Sequence, residues 1–172
     1  MKLLMKTVVV YQSKSGNTRL MAEEIYEYLG DMDKDIIDID TDNDIPEADL
    51  YFVGFGVHNN NCSMDIVDLF ERMEEGKYAL FMSSGFLPTD KYKDKVLSNI
   101  EVWLPEQCEL VDSFMCQGKM ERHVLDIMVG KMPHAEEQLK QMYAEGSVHP
   151  NNDDMENLQE FVTRLLRDSF EV

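Results

Sequence analysis

Short apolar runs alternate with segments of helical periodicity along most of this chain, and this alternation limits the possible folds strongly. Apolar runs that predict β-strands lie at residues 6–11, 35–39, 49–55, 78–83 and 109–116. Apolar residues at helical spacing predict helices at residues 18–29, 64–75, 89–100, 121–132, 134–145 and 153–168. Such alternation is typical of a parallel sheet with helices on both faces. We therefore predict a three-layer α/β fold.

The length of 172 residues indicates one domain with room for a substantial core. The crossover at 40–49 is short and acidic and contains Pro46, so we expect a turn or a single helical turn there. Residues 121–146 exceed what a five-stranded domain requires, and they predict a helical insertion. That insertion either covers a ligand site, forms a partner surface or simply buries a face of the sheet.

The net charge of −18 restricts the classes of partner. Such a surface repels nucleic acid and anionic membranes, whereas it suits a partner with a basic docking surface, or simple solubility. The three cysteines (Cys62, Cys108 and Cys116) have no spacing that predicts a disulfide framework or a metal site. The opening Met1–Met5 segment is too short for the apolar part of a signal peptide, and no apolar run reaches membrane-spanning length. We expect a cytoplasmic protein.

Residues 11–18, Tyr-Gln-Ser-Lys-Ser-Gly-Asn-Thr, join the first predicted strand to the first predicted helix. Unpaired backbone N–H groups and the positive end of the helix dipole attract an anion at such a junction. The spacing of a P-loop or of a Rossmann glycine motif is absent. We predict a phosphate site formed by Ser13, Lys14, Ser15, Gly16, Asn17 and Thr18. The alternative is an ordinary turn in which serine and asparagine cap the helix.

This loop resembles the phosphate loop of flavodoxins, which holds the 5′-phosphate of FMN. Other stretches resemble one group of small flavodoxin-like proteins, the BilS group, encoded beside bilirubin reductases; they are Ala48-Asp49, Val53-Gly54-Phe55, Cys62, Ser84-Gly85-Phe86, Ser113 to Met120 and His149-Pro150. The five strands suit the flavodoxin-like sheet order 2-1-3-4-5, with extra helices after the fifth strand. In that order a ligand binds above the first and third strands, where the winding reverses.

The resemblance implies that the flavin ring lies between the loops that follow the third and fourth strands. The corresponding residues are Phe55, Gly56, Val57, His58, Asn59, Cys62, Ser84, Gly85 and Phe86. In flavodoxins a peptide flip in the first loop turns a carbonyl toward the flavin N5, and Gly56 or Asn59 is the candidate here. His58 either interacts with the ring or has no role. Cys62 either has a pKa lowered by the helix dipole or packs at the helix start.

The loop after the third predicted strand departs from the BilS pattern. In that group it usually carries tryptophan after Gly-Phe, followed by polar residues and a glycine before the cysteine. Here the loop reads Gly56, Val57, His58 and three asparagines. The only tryptophan, Trp103, is remote in sequence and does not replace it locally. The ring would therefore lose an aromatic stacking partner, while phosphate binding would not be affected.

The resemblance implies an FMN-dependent electron carrier that passes electrons to a partner, with a bilirubin-type reductase as one candidate. Such a carrier needs no catalytic acid, base or nucleophile, and the four histidines are scattered. A second hypothesis is an NAD(P)H-dependent FMN or quinone reductase. Such an enzyme would use basic residues near the rim of the predicted flavin site, such as Lys14, Lys91 and Lys93. A third is a non-redox module that binds a partner or another phosphorylated ligand.

Overall fold

The computed structural model describes residues 5–73 and 75–170. Residues 1–4 of the opening segment, and residue 74 of the helix predicted at 64–75, lie outside the described residues. No helix within the described part of the chain combines the length and the apolar character needed to cross a lipid bilayer.

In the described part of the chain, five parallel strands form one sheet in the order β2-β1-β3-β4-β5, which confirms the predicted order. The strands are β1 (Lys6–Tyr11), β2 (Asp33–Asp38), β3 (Leu50–Gly56), β4 (Gly76–Ser84) and β5 (Cys108–Gln117). Each predicted strand is present, with its ends within two residues of the prediction. Where β2 leads to β3, the amides of Thr41 and Asp42 both donate to the Asp38 carbonyl, so this crossover begins with a turn rather than a helix.

Within residues 5–73 and 75–170, six helices accompany the sheet. They are α1 (Asn17–Tyr28), α2 (Met64–Met73), α3 (Asp90–Glu101), α4 (Arg122–Lys131), α5 (Glu136–Gly146) and α6 (Asn152–Phe170). A short 3-10 turn at Pro133–Ala135 separates α4 from α5, because proline lacks the N–H that would continue the first helix. The helices α4 and α5 contact one another and form the predicted extra helices after β5.

The strands alternate their side chains between two apolar cores, as the period of a β-strand requires. One core packs β1 residues Val8 and Val10 against α2 and α3. The other packs Val9 of β1 against α1 and α6. Both faces of the central strands are therefore covered, which explains why those strands are apolar almost throughout.

The carboxyl ends of all five strands meet at one edge of the sheet, called here the carboxyl edge. From β1 the chain moves to β2 on one side, and from β3 it moves through β4 to β5 on the other. The loops after β1 and β3 therefore diverge and leave a crevice between them. The phosphate loop predicted from the sequence follows β1 and therefore borders this crevice.

Candidate functional site

The loop after β1 reaches α1 through a glycine in the left-handed region. Gly16 has φ +92° and stands at the N-cap of α1 without a side-chain cap. A Cβ atom placed on Gly16 would meet nothing within 4 Å, so the space above the loop is open. An L-residue rarely adopts this backbone conformation, and glycine adopts it without steric cost.

Several donors at the start of α1 remain available for a ligand. Within the described part of the chain, the backbone N–H groups of Ser15, Asn17 and Thr18 donate no hydrogen bond. Asn17 and Thr18 begin the first turn of a twelve-residue helix, where the helix dipole is positive, and Ser15 lies just before its N-cap. Open space, free amides and a positive dipole together form a cradle that suits a phosphate group.

The hydroxyl groups of the loop face different ways. Ser13 Oγ accepts hydrogen bonds from the amides of Gly16 and Arg19, at 3.1 and 3.2 Å, and so stabilises the turn into the helix. Ser15 is exposed, and its Oγ accepts from Asn17 Nδ2 at 2.9 Å, which leaves its O–H free to donate. Thr18 is buried, and its Oγ1 lies 3.1 Å from Ser83 Oγ on β4. Thr18 therefore faces the sheet with its side chain and the cradle only with its backbone.

A polar network fixes the outer side of this loop. Gln12 Nε2 donates to Asp40 Oδ1 at 3.0 Å and to Asp65 Oδ2 at 2.8 Å, and its Oε1 accepts from Ser63 Oγ at 2.6 Å. These contacts join the end of β1 to the end of β2 and to the start of α2. The exposed Lys14 pairs with Asp40 at 3.8 Å, so its charge is directed toward the network.

The loop after β3 forms a tight turn. His58 and Asn61 exchange two backbone hydrogen bonds of 2.8 and 3.0 Å across Asn59 and Asn60. Both central asparagines have positive φ, 51° and 60°, as primed two-residue turns require. His58 and Asn59 are exposed, and Gly56 is exposed at the end of β3, whereas Phe55 is buried in the core.

This turn is held against α3. Asn99 Nδ2 donates to the Asn60 carbonyl at 2.9 Å, and Trp103 Nε1 donates to Asn61 Oδ1 at 3.3 Å. Tertiary structure therefore brings Trp103 to the loop from which the sequence separates it. Val57 N donates to the Ser83 carbonyl at 2.8 Å and ties the base of the turn to β4.

Cys62 packs at the start of α2 and is not an activated thiol. Its amide donates to Asn61 Oδ1 at 2.9 Å, and its side chain packs against the core of α2 and α3. Burial raises the pKa of Cys62 to about 11, because a thiolate loses its hydration in an apolar environment. Of the two roles considered for Cys62, the structure supports packing and contradicts a lowered pKa.

The loop after β4 forms the third side of the crevice. Ser84 Oγ accepts from the Phe86 amide at 3.1 Å and donates to the Tyr92 hydroxyl at 3.2 Å. The Phe86 ring is partly exposed and lies 5.7 Å from the Tyr92 ring. The Gly85 amide donates to no described residue, so it is free to face a ligand.

Sequence reasoning missed two features of this site. Gln12 lies inside the motif but was not assigned a role, although a polar residue directly after a buried strand is a signal for one. The contact of Asn17 with Lys119 joins residues 102 positions apart, and no local pattern in the sequence indicates it.

His149 lies away from this site. It contacts Asp154 at 2.6 Å and belongs to the cap of α6, where the amide of Asn151 also donates to Asp154.

Two surface cavities lie away from the crevice. One, of about 500 Å³, runs between α1 and α6, and the other, of about 580 Å³, opens at the opposite edge of the sheet beside Tyr51 and Arg72. Neither is lined by the three loops at the carboxyl edge. Among residues 5–73 and 75–170 no group of three or more His, Cys, Asp or Glu side chains is arranged to hold a metal ion.

A parallel sheet of this order with an anion cradle after its first strand defines a flavodoxin-type α/β protein. The flavodoxin domain family model matches residues 8–163, and the chain belongs to that family. The chain is similar to the flavodoxin-like domain-containing protein BilS of Clostridium symbiosum (strain WAL-14163). The two are 29% identical over 180 residues, which cover 92% of this chain and 94% of that protein.

Solved structures share the fold at lower identity. The flavodoxin of Streptococcus pneumoniae TIGR4 aligns with a TM-score of 0.60 at 17% identity, over 95% of this chain and 99% of that one. A flavoprotein of Lactobacillus acidophilus NCFM, solved in complex with FMN, aligns with a TM-score of 0.50 at 21% identity, over 64% of this chain and 93% of that one.

Proposed function

We propose that this protein binds FMN at the carboxyl edge of its sheet and carries electrons to a partner reductase. The observation that carries the proposal is the cradle at Ser13–Thr18, where free amides and a left-handed glycine surround open space at a helix N-terminus. Membership of the flavodoxin domain family and the FMN complex of the Lactobacillus acidophilus flavoprotein support the choice of ligand.

The donor set fits the cofactor. The amides of Ser15, Asn17 and Thr18 and the Ser15 hydroxyl would hold the phosphate, and the Gly85 amide would face the polar end of the ring. Bound FMN supplies one- and two-electron redox chemistry, while the protein orients it and sets its potential. The net charge of −18, with Asp40 and Asp65 beside the loop, disfavours the extra negative charge that reduction adds, so we expect a low potential for the second electron.

The rim of the crevice suits contact with another protein. Leu20, Met64 and Leu87 follow the three loops of the site and are 53%, 64% and 63% exposed. Apolar side chains that surround the crevice would pack against a partner, and the acidic surface would attract one with basic residues. A bilirubin-type reductase is a candidate, because the chain resembles the BilS group and is similar to a BilS protein over 92% of its length.

Two of the three lysines near the rim argue against an NAD(P)H-dependent reductase. Lys93 Nζ donates to the Ser113 carbonyl at 2.9 Å and Lys14 pairs with Asp40 at 3.8 Å, so both have partners within the protein. The exposed Lys91 is the one of the three that has no such contact among the described residues. The non-redox alternative is favoured by one observation, the turn at Asn59–Asn60, which Asn99 and Trp103 hold against α3. In that position the turn would contribute no aromatic ring to a flavin.

The visible absorption spectrum of the purified protein tests the proposal. We expect flavin bands that survive desalting after FMN is added, and no bleaching when NADH or NADPH is then supplied without a partner. Rapid bleaching by NAD(P)H would identify a reductase. A protein that retains no flavin after desalting would instead support the non-redox module.

A further inference from the structure

Asn17 makes the principal contact between the phosphate loop and the segment that follows β5. The residue is buried, with 8% of its surface exposed. Nδ2 donates to Ser15 Oγ at 2.9 Å and to the Lys119 carbonyl at 2.9 Å, while Oδ1 accepts from the Lys119 amide at 3.2 Å. The sequence motif predicts Asn17 as one of the residues that form the phosphate site. Its side chain instead reaches across the carboxyl edge to a residue that lies 102 positions away.

The side-chain amide of Asn17 has little capacity left for a ligand. A carboxamide carries two N–H donors, and both are used, one toward Ser15 and one toward Lys119. Its oxygen already accepts one hydrogen bond. The group that Asn17 can offer to a phosphate is therefore its backbone N–H, and the side chain has a separate task.

The segment that Asn17 contacts also supports the loop after β4. The Gly118 amide donates to the Ser84 carbonyl at 2.7 Å, and Gln117 Nε2 donates to the Gly85 carbonyl at 3.1 Å. Residues 117–119 thus bond to the phosphate loop on one side and to Ser84–Gly85 on the other. Both sides are parts of the proposed FMN site: the phosphate cradle and the loop that would face the ring.

Gly118 shows how closely these parts fit. A Cβ atom on Gly118 would lie 2.6 Å from Asn17 Nδ2 and 2.8 Å from Asn17 Cγ, far inside van der Waals contact. Any side chain at position 118 would displace Asn17 and break its bonds to Lys119. The absence of a side chain at position 118 is therefore needed for the contact.

We propose that Asn17 is a positioning residue that couples the phosphate half of the site to the ring half through residues 117–119. This inference rests on the proposed FMN site. When Asn17 is in place, the cradle and the Ser84–Gly85 loop are held at one spacing, so the cofactor meets a site that is already ordered. Without Asn17 the link through residues 117–119 would be lost, while the contact of Thr18 Oγ1 with Ser83 Oγ would remain. Each half would then bind its part of the cofactor less well.

Binding of FMN and of riboflavin, which lacks the phosphate, tests the coupling in wild type, Asn17→Ala, Gly118→Ala and the double variant. Affinities are measured by quenching of flavin fluorescence, and Gly16→Val is the matched control within the phosphate loop. We expect Gly16→Val to weaken FMN alone. Asn17→Ala and Gly118→Ala should weaken riboflavin as well, by about tenfold, as the loss of a buried hydrogen-bonded contact predicts.

The double variant should bind riboflavin about as well as either single variant, because both substitutions break one link. Riboflavin affinity that is unchanged in Asn17→Ala, or losses that add in the double variant, would overturn the proposal. A wild type that binds neither flavin would overturn the FMN site itself, and the coupling with it. That outcome is visible before any variant is made.

Amide hydrogen exchange gives a readout that needs no ligand. In Asn17→Ala we expect faster exchange at the Gly118 amide, whose bond to Ser84 depends on the position of the segment, and unchanged exchange in the central strand β3. A Gly118 amide as protected as in wild type would show that Asn17 does not position this segment. Faster exchange throughout the sheet would show a general loss of stability and would also contradict a specific coupling.

Discussion

At the scale of single residues, Gly16 is the position where backbone conformation and the proposed ligand site coincide. Its φ of +92° suits glycine, and the open space beside it is the space that a phosphate would fill. We predict that Gly16→Val abolishes FMN retention, because the branched side chain would occupy the cradle. The strain of a left-handed residue should lower the free energy of unfolding by about 1–2 kcal/mol, which leaves the protein folded.

Gly30 is the matched control for this prediction. It also has positive φ, 61°, and a Cβ there also meets nothing within 4 Å, but it lies past the other end of α1. Gly30→Val should cost similar stability in urea unfolding and leave FMN retention after desalting unchanged. Equal FMN binding by the Gly16 variant and wild type would place the phosphate elsewhere.

At the scale of elements, the turn after β3 depends on two asparagines in the left-handed region. Asn and Gly tolerate this conformation, whereas β-branched residues do not. We predict that Asn60→Gly keeps the free energy of unfolding within about 0.5 kcal/mol, while Asn60→Val lowers it by about 1–2 kcal/mol. Urea unfolding followed by circular dichroism measures both. If Asn60→Val is as stable as Asn60→Gly, the turn does not need the left-handed conformation in solution.

At the scale of the whole molecule, 34 acidic against 16 basic residues create a field that acts beyond any one contact. We predict that electron transfer from the reduced protein to a partner with a basic docking surface slows as ionic strength rises. Salt shortens the range of the attraction to about 8 Å at 0.15 M. Stopped-flow rates between about 0.02 and 0.3 M salt test this. A rate that is independent of salt would limit the charge to solubility.

The periodicity of the sequence was sufficient for the layers and the five strands, while the order of the sheet came from the resemblance to flavodoxins. Burial on both faces makes central strands such as β3 apolar throughout, and a helix must repeat its apolar residues every three or four positions. These requirements act on residues that are near one another in the chain, so the sequence shows them directly. The strand–helix junction at Ser13–Thr18 could be found in the same way. A helix that begins there leaves its first amides free, and Gly16 is visible in the motif itself.

Tertiary structure alone decided which side chains meet at the carboxyl edge. Asn17 contacts Lys119, Gln12 joins Asp40 to Asp65, and Trp103 reaches Asn61. Each of these contacts joins residues from different elements, and their partners are chosen by sheet order and loop path rather than by spacing along the chain. The raised pKa of Cys62 has the same origin, since burial depends on what packs over a side chain and not on its neighbours in sequence.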